Sequence, residues 1–251
     1  MLSLPPQDPA HWLLALALNA GLIALAQRAP VLTRSGWVHA GILGTILWGT
    51  LGWRGWLAVV LYLALGSLVT RLGLREKQQR GLAEARGGRR GPENVWGSAL
   101  VGALLAMLAA RAPLSWNGPL LVAFAASFSA KLADTCGSEV GKRWGRRCVL
   151  ITNLRPVPPG TDGAISLEGC LASLAGSALM AGLGLLLGLL ADLPSALLVT
   201  LVGLVATLLE SVIGATAQRR VQWLSNEMVN GIQTALAAAL ALLGSSWLLA
   251  A

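Results

Sequence analysis

Runs of predominantly apolar residues, each cut off from the next by charge or proline, constrain this chain more than any other feature. They fall at about 11–27, 36–52, 54–72, 94–110, 119–136, 164–190, 195–217 and 230–249. A helix of about 20 residues crosses the hydrocarbon core of a bilayer. Lipid offers no partner to backbone amides, so each run is expected to satisfy them within its own helix. The expected fold is therefore all-α, a polytopic membrane helix bundle of about eight transmembrane helices forming a single integral membrane domain over residues 1–251. With 55% hydrophobic and only 12% charged residues, the chain has about half the charge of an ordinary soluble domain.

Basic residues in loops next to membrane spans mark the cytoplasmic side. If the N-terminus lies outside and the chain crosses eight times, the inside loops collect every lysine and arginine except Arg54, Arg111 and Lys131, with Arg219 and Arg220 in the last of them. Both termini are thus expected outside. The longest inside loop, 73–93, is basic and expected to be mobile, and residues 137–163 form a second cytoplasmic loop region. The net charge of +8 does not imply nucleic acid, because the basic residues are dispersed in short loops and stacking aromatics are few: one Tyr, two Phe, and ten Trp mostly near span ends. The three cysteines lack a CxxC spacing and lie far from His11 and His39, so they read as reduced thiols rather than zinc ligands. No basic residue precedes the first apolar run, so a cleavable signal peptide is not expected. Small residues four apart, such as Ala172/Gly176 and Ser173/Ser177, suit close helix packing.

Ionisable groups in membrane spans are costly and mark function by default. Glu93, Asp134, Glu139, Asp162, Glu168, Glu210 and Glu227 all map to inside span ends or their loops, so several segments carry carboxylates to one side. In residues 129–145, Lys131, Asp134 and Ser138 share one helical face, and Glu139 is rotated away unless Gly137 or Gly141 breaks the helix. The plainer reading is a Lys131–Asp134 pair neutralising a buried charge. In residues 155–169, three prolines forbid a continuous helix, Gly160 and Gly163 permit unusual backbone angles, and Thr161 or Asp162 is placed to cap a helix starting near Gly163. Glu210, Ser211 and Gln218 mark the end of the seventh span. Asn226, Glu227 and Asn230 open the eighth, as capping residues or ligands. Arg89 and Arg90 precede the fourth span, as phosphate partners or as topology anchors. Carboxylates beside lysine and arginine suit a magnesium–phosphate substrate, since Mg²⁺ takes oxygen ligands and bridges phosphates. An ion-coupled membrane transporter is the alternative.

The segments DTCGSEVG (134–141), PPGTDGAISLEG (158–169), ESVIGATAQ (210–218) and NEMVN (226–230), with GRRGPENVWGS (88–98), resemble the integral membrane family that includes plant and cyanobacterial phytyl-phosphate kinase of the vitamin E pathway. The resemblance runs in order from about residue 35 to 245. It implies phosphoryl transfer from a nucleoside triphosphate, CTP or another, to phytyl phosphate at the cytoplasmic face, with a prenyl lipid lying between helices. It implies Asp134, Glu139, Asp162 and Glu210 as the acidic residues holding Mg²⁺–nucleotide, although members more typically have Asp–Ser where Glu210–Ser211 stands here. Lys131, Arg89, Arg90 and Arg143 are then expected to neutralise phosphates, and Gly160, Thr161, Gly163, Ser138 and Asn230 to line the phosphate site.

Overall fold

A computed structural model describes residues 4–218 and 220–250; Arg219, counted above among the inside basic residues, lies outside them. The long helices are α1 (Pro9–Ala26), α2 (Arg34–Arg71), α4 (Pro92–Ala109), α5 (Leu114–Trp144), α6 (Leu167–Leu186), α7 (Leu193–Ile213) and α8 (Asn226–Ala250), with the short helix α3 (Leu74–Gln79) between α2 and α4. Local chemistry starts several of them. Asp8, Thr33 and Asp192 accept hydrogen bonds from the amides of His11, Gly36 and Ser195 at 2.8, 3.0 and 2.9 Å, capping α1, α2 and α7. Proline occupies the first turn of α1, α4 and α7, where its missing N–H costs nothing.

Seven helices among the described residues are long and apolar enough to cross a bilayer. One of them crosses twice. A straight helix of the 38 residues of α2 would be about 57 Å long, nearly twice the hydrocarbon thickness. At Gly52 the backbone leaves the helical region (φ 69°, ψ −166°), a conformation glycine tolerates at no steric cost, and the chain doubles back. The two ends of α2 consequently meet at one pole: Arg71 donates to the carbonyl of Pro30 at 2.6 Å. Near the turn, Trp48 stacks edge-on against Trp56 with centroids 5.5 Å apart. The expected spans at 36–52 and 54–72 are the two arms of this hairpin, and the bundle makes eight crossings.

Helix α5 is the axis. Every residue from Leu120 to Ala133 is buried, because α2, α4, α6, α7 and α8 all pack against it. That explains how one apolar run carries Lys131 and Asp134: its neighbours are protein rather than lipid. The outer helices turn leucines outward, Leu186 being 84% exposed, as a lipid-facing surface requires.

Two local expectations are corrected. Neither Gly137 nor Gly141 breaks α5, which runs through both to Trp144. Their role is close packing: a Cβ at Gly137 would stand 3.1 Å from the Gly169 carbonyl, and one at Gly169 3.0 Å from the Gly137 carbonyl. Residues 137–144 are therefore the last turns of α5, and the loop proper begins at Gly145. Nor does a helix begin at Gly163. That residue takes φ +75°, and Ala164–Ile165 (β2) pairs antiparallel with Val149–Leu150 (β1). Helix α6 starts only at Leu167, capped by the Ser166 hydroxyl, which accepts from Gly169 N at 3.1 Å. Thr161 instead donates to the Pro158 carbonyl at 2.7 Å.

Candidate functional site

At the pole where the ends of α2 meet, a cavity of about 540 Å³ opens between the ends of α4, α5, α7 and α8 and the loops 80–91 and 158–166. Its wall includes Lys131, Asp134, Ser138 and Glu139 from α5, Asp162 from the proline-rich loop, Glu210 and Ser211 from α7, and Asn230 from α8. Arg89, Arg90, Gly160, Thr161 and Gly163 also line it. Of the site residues expected from sequence, only Arg143 stands apart. Its guanidinium lies 4.4 Å over the Trp144 ring and its Nε is 3.5 Å from Glu76.

Lys131 is the most buried cation in the wall. Its ammonium pairs with Asp134 one turn on and donates to Asn230 Oδ1 of α8 at 2.9 Å. The pair and the site are thus one object: the internal neutralisation is present, and it faces the cavity. Glu210 lies within electrostatic reach of Asp134, Lys131 and Asp162, so carboxylates from three segments meet at Glu210 with Lys131 among them.

The last turns of α7 explain how Glu210 and Asp162 come together. Gly163 abuts the Ser211 carbonyl and the backbone of Ala215; a Cβ there would fall 2.6 and 2.7 Å from Ser211 O and Ala215 N. Helix α7 then widens into a π turn over Gly214–Gln218, a distortion that recurs at functional sites, and Gln218 joins the cavity wall.

Glu139 has partners that sequence does not suggest. One oxygen pairs with Lys77 of α3, whose ammonium also donates to the Thr70 carbonyl at 2.8 Å; the other accepts from Lys142 at 3.1 Å. Lys142 in turn lies 2.6 Å from Glu84. Burial pushes the Glu84 carboxyl up, but the adjacent Lys142 ammonium outweighs it and holds the group below the usual carboxylate value. This chain of charges ties residues 73–91 down over the cavity, so the basic loop carries a helix, α3, and a buried anchor.

Arg90 reaches in beside Tyr62, donating to its hydroxyl at 3.3 Å. Asn94 links the loop to α8, accepting from Gly91 N at 2.9 Å and donating to Glu227 at 3.0 Å. Sequence reasoning put Lys77, Glu84 and Lys142 on this side only as loop charges and gave them and Asn94 no role in the site. Lys142 was within reach: at about 100° per residue it lies about 20° round the helix from Lys131, whereas Arg143 lies about 120° away.

Among the described residues no three histidine, cysteine or carboxylate side chains are grouped closely enough to hold a metal alone. Mg²⁺ ordinarily takes one or two carboxylates and completes its shell with water and substrate phosphates, and Asp134, Asp162 and Glu210 offer clustered negative charge that a cation would relieve.

Fold and site together define a multi-pass helical membrane protein with a charged chamber at one pole. The chain belongs to the family described as Integral membrane protein DUF92, whose profile matches residues 17–238. It is 52% identical over 233 residues to the uncharacterised membrane protein sll0875 of Synechocystis, covering 92% of this chain and 90% of that one. Protein VTE6, chloroplastic, of Arabidopsis thaliana is 36% identical over 244 residues, 95% of this chain and 73% of the relative. An archaeal relative, the uncharacterised membrane protein MJ0933 of Methanocaldococcus jannaschii, is 32% identical over 213 residues, 85% of each chain. No solved structure matches significantly.

Proposed function

We propose that the chain is a prenyl-phosphate kinase. It transfers the γ-phosphoryl group of a nucleoside triphosphate to phytyl phosphate, giving phytyl diphosphate for tocopherol or prenylquinone synthesis. The reading rests on family membership and on one observation: separate segments bring Lys131–Asp134, Asp162, Glu210 and Asn230 to a single cavity at the pole of a bilayer-spanning bundle. The relatives lend no support to the ion-coupled transporter.

In the reaction the bond from the γ-phosphorus to its bridging oxygen breaks, a bond to an acceptor phosphate oxygen forms, and nucleoside diphosphate leaves. The acceptor oxygen is already anionic, so no residue need remove a proton. What the protein supplies is position and charge. Lys131, held by Asp134 and Asn230, presents a fixed cation deep in the chamber, and Arg89 and Arg90 neutralise phosphates nearer the mouth. Ser138, Gly160, Thr161 and Gly163 shape the wall along the phosphates. Asp134, Asp162 and Glu210 would hold Mg²⁺, which would offset the charge of the phosphates. Glu139 does not join them, because Lys77 and Lys142 occupy both of its oxygens; it anchors the loop over the chamber. The chamber faces the cytoplasm, and the prenyl tail lies among the helices, entering from surrounding lipid.

Asp134→Asn and Asp162→Asn test the assignment. Each is expected to express normally and lose diphosphate formation; full activity in both would remove these residues from the site.

A further inference from the structure

A second cavity, of about 680 Å³ and more open, lies at the same pole between the α1–α2 connection, the end of α2 and the 80–91 loop. Four arginines line it, Arg71, Arg75, Arg86 and Arg89, with Pro30 and Leu74, and no acidic residue does. Among the described residues no carboxylate lies within ion-pair distance of Arg71, Arg75 or Arg89. Of the nearest acids in sequence, Glu76 is engaged with Arg80 and Arg143, while Glu93 pairs with Arg86 of the cavity wall, leaving Arg71, Arg75 and Arg89 as its cations without an acidic partner. Arg71 gives one N–H to the Pro30 carbonyl, and a guanidinium has five, so most of its donors remain.

Topology alone asks for basic residues near this level but not for their convergence. Cations dispersed along loops satisfy it equally well and repel less. Here two segments, 71–75 and 86–89, converge on one concavity, and α3 keeps Arg75 there because Lys77, two residues on, is buried against Glu139. Arginine clusters in a concave surface recognise phosphate through paired N–H donors, and basic pockets at this depth receive anionic lipid headgroups.

We infer that the arginine-lined cavity formed by Arg71, Arg75, Arg86 and Arg89 is an anion site that binds a phosphate group; it adjoins the carboxylate-bearing chamber, whose wall shares Arg86 and Arg89, while Arg71 and Arg75 belong to it alone. That group is either the phosphodiester headgroup of an anionic lipid or free phosphate. Arg71 and Arg75, which line this cavity and not the chamber, carry the site independently of the kinase reading.

The test uses the full chain in nanodiscs of phosphatidylcholine doped with phosphatidylglycerol, with retained lipid counted by native mass spectrometry. In parallel, inorganic phosphate is titrated against the melting midpoint in phosphatidylcholine alone. Arg75→Gln is the main variant, because Arg75 is exposed and makes no contact the fold needs; Arg71→Gln/Arg75→Gln extends it. Arg155→Gln, on the loop after β1, is the charge-matched control. A charge-assisted hydrogen bond is worth roughly a tenfold change in affinity. Retention of phosphatidylglycerol is expected to fall about tenfold in Arg75→Gln, further in the double variant, and not in the control. A phosphate-induced rise in melting midpoint with the same variant dependence, without lipid preference, would support the site with free phosphate as its occupant. Equal binding of both probes by all variants, or equal loss in Arg155→Gln, would overturn the inference.

Discussion

The contact of Gly163 with α7 yields a prediction whose size follows from the structure. Gly163→Ala places a methyl group against the Ser211 carbonyl and the Ala215 amide, 2.6 and 2.7 Å away, on a backbone at φ +75°. Both obstacles are main chain inside a helix and cannot swing aside. A left-handed conformation costs an L-residue about 1–2 kcal/mol, and overpacking a tight contact about 1–3 kcal/mol, so the docked loop should lose roughly 2–5 kcal/mol. The rest of the bundle does not depend on this loop, so the effect is local undocking. A loss of about 3 kcal/mol raises the undocked population about a hundredfold. Limited trypsin cleavage after the exposed Arg146 and Arg147 reports that population when opening and closing are fast. Gly160→Ala is a graded comparison. It has φ +82°, but its nearest obstacle is the tip of the Leu82 side chain at 2.8 Å, which can move, leaving only the backbone penalty of about 1–2 kcal/mol. Gly21→Ala, in open space within α1, should be neutral or slightly stabilising. Cleavage in Gly163→Ala no faster than in Gly21→Ala would show that the loop does not depend on this contact.

Lys77→Met strands the Glu139 carboxylate with only Lys142 and should destabilise by about 3–5 kcal/mol. Lys77→Met/Glu139→Gln should recover at least about 1 kcal/mol of that by thermal unfolding in detergent, and strict additivity would deny the pair. The Glu84 carboxyl is held below its ordinary value of 4.5 by Lys142, so its contribution should be constant above about that pH. It should be lost as pH falls through the lower folded value. Melting midpoints from pH 7 to 3.5 should show this loss in wild type, and the wild-type-minus-Glu84→Gln difference should shrink only at the acid end.

Much of the fold was legible because lipid leaves little freedom: apolar runs and basic loops mark crossings, and even the hairpin turn falls at Gly52, where two runs were divided. The convergence of Asp134, Asp162 and Glu210 was likewise readable, since each sits at the same end of its span. What escaped was set by contacts between distant segments. Gly137 and Gly141 look like helix breakers alone and prove to be packing surfaces once Gly169 lies against them. Ser166, rather than Thr161 or Asp162, caps α6, because β2 pairs with β1 first. The Lys77–Glu139 pair spans 62 positions, and nothing in local spacing or charge announces it. Arg143 was legible but misjudged, since the helical angle from Lys131 already turns it away from the chamber.

The kinase assignment stands or falls on the reaction itself. Purified protein in liposomes is supplied with phytyl phosphate, Mg²⁺ and each of CTP, ATP, GTP and UTP, and phytyl diphosphate is followed by mass spectrometry. Diphosphate is expected with at least one nucleotide, abolished by EDTA and by Asp134→Asn. Folded protein that yields no diphosphate with any of the four would rule out a prenyl-phosphate kinase.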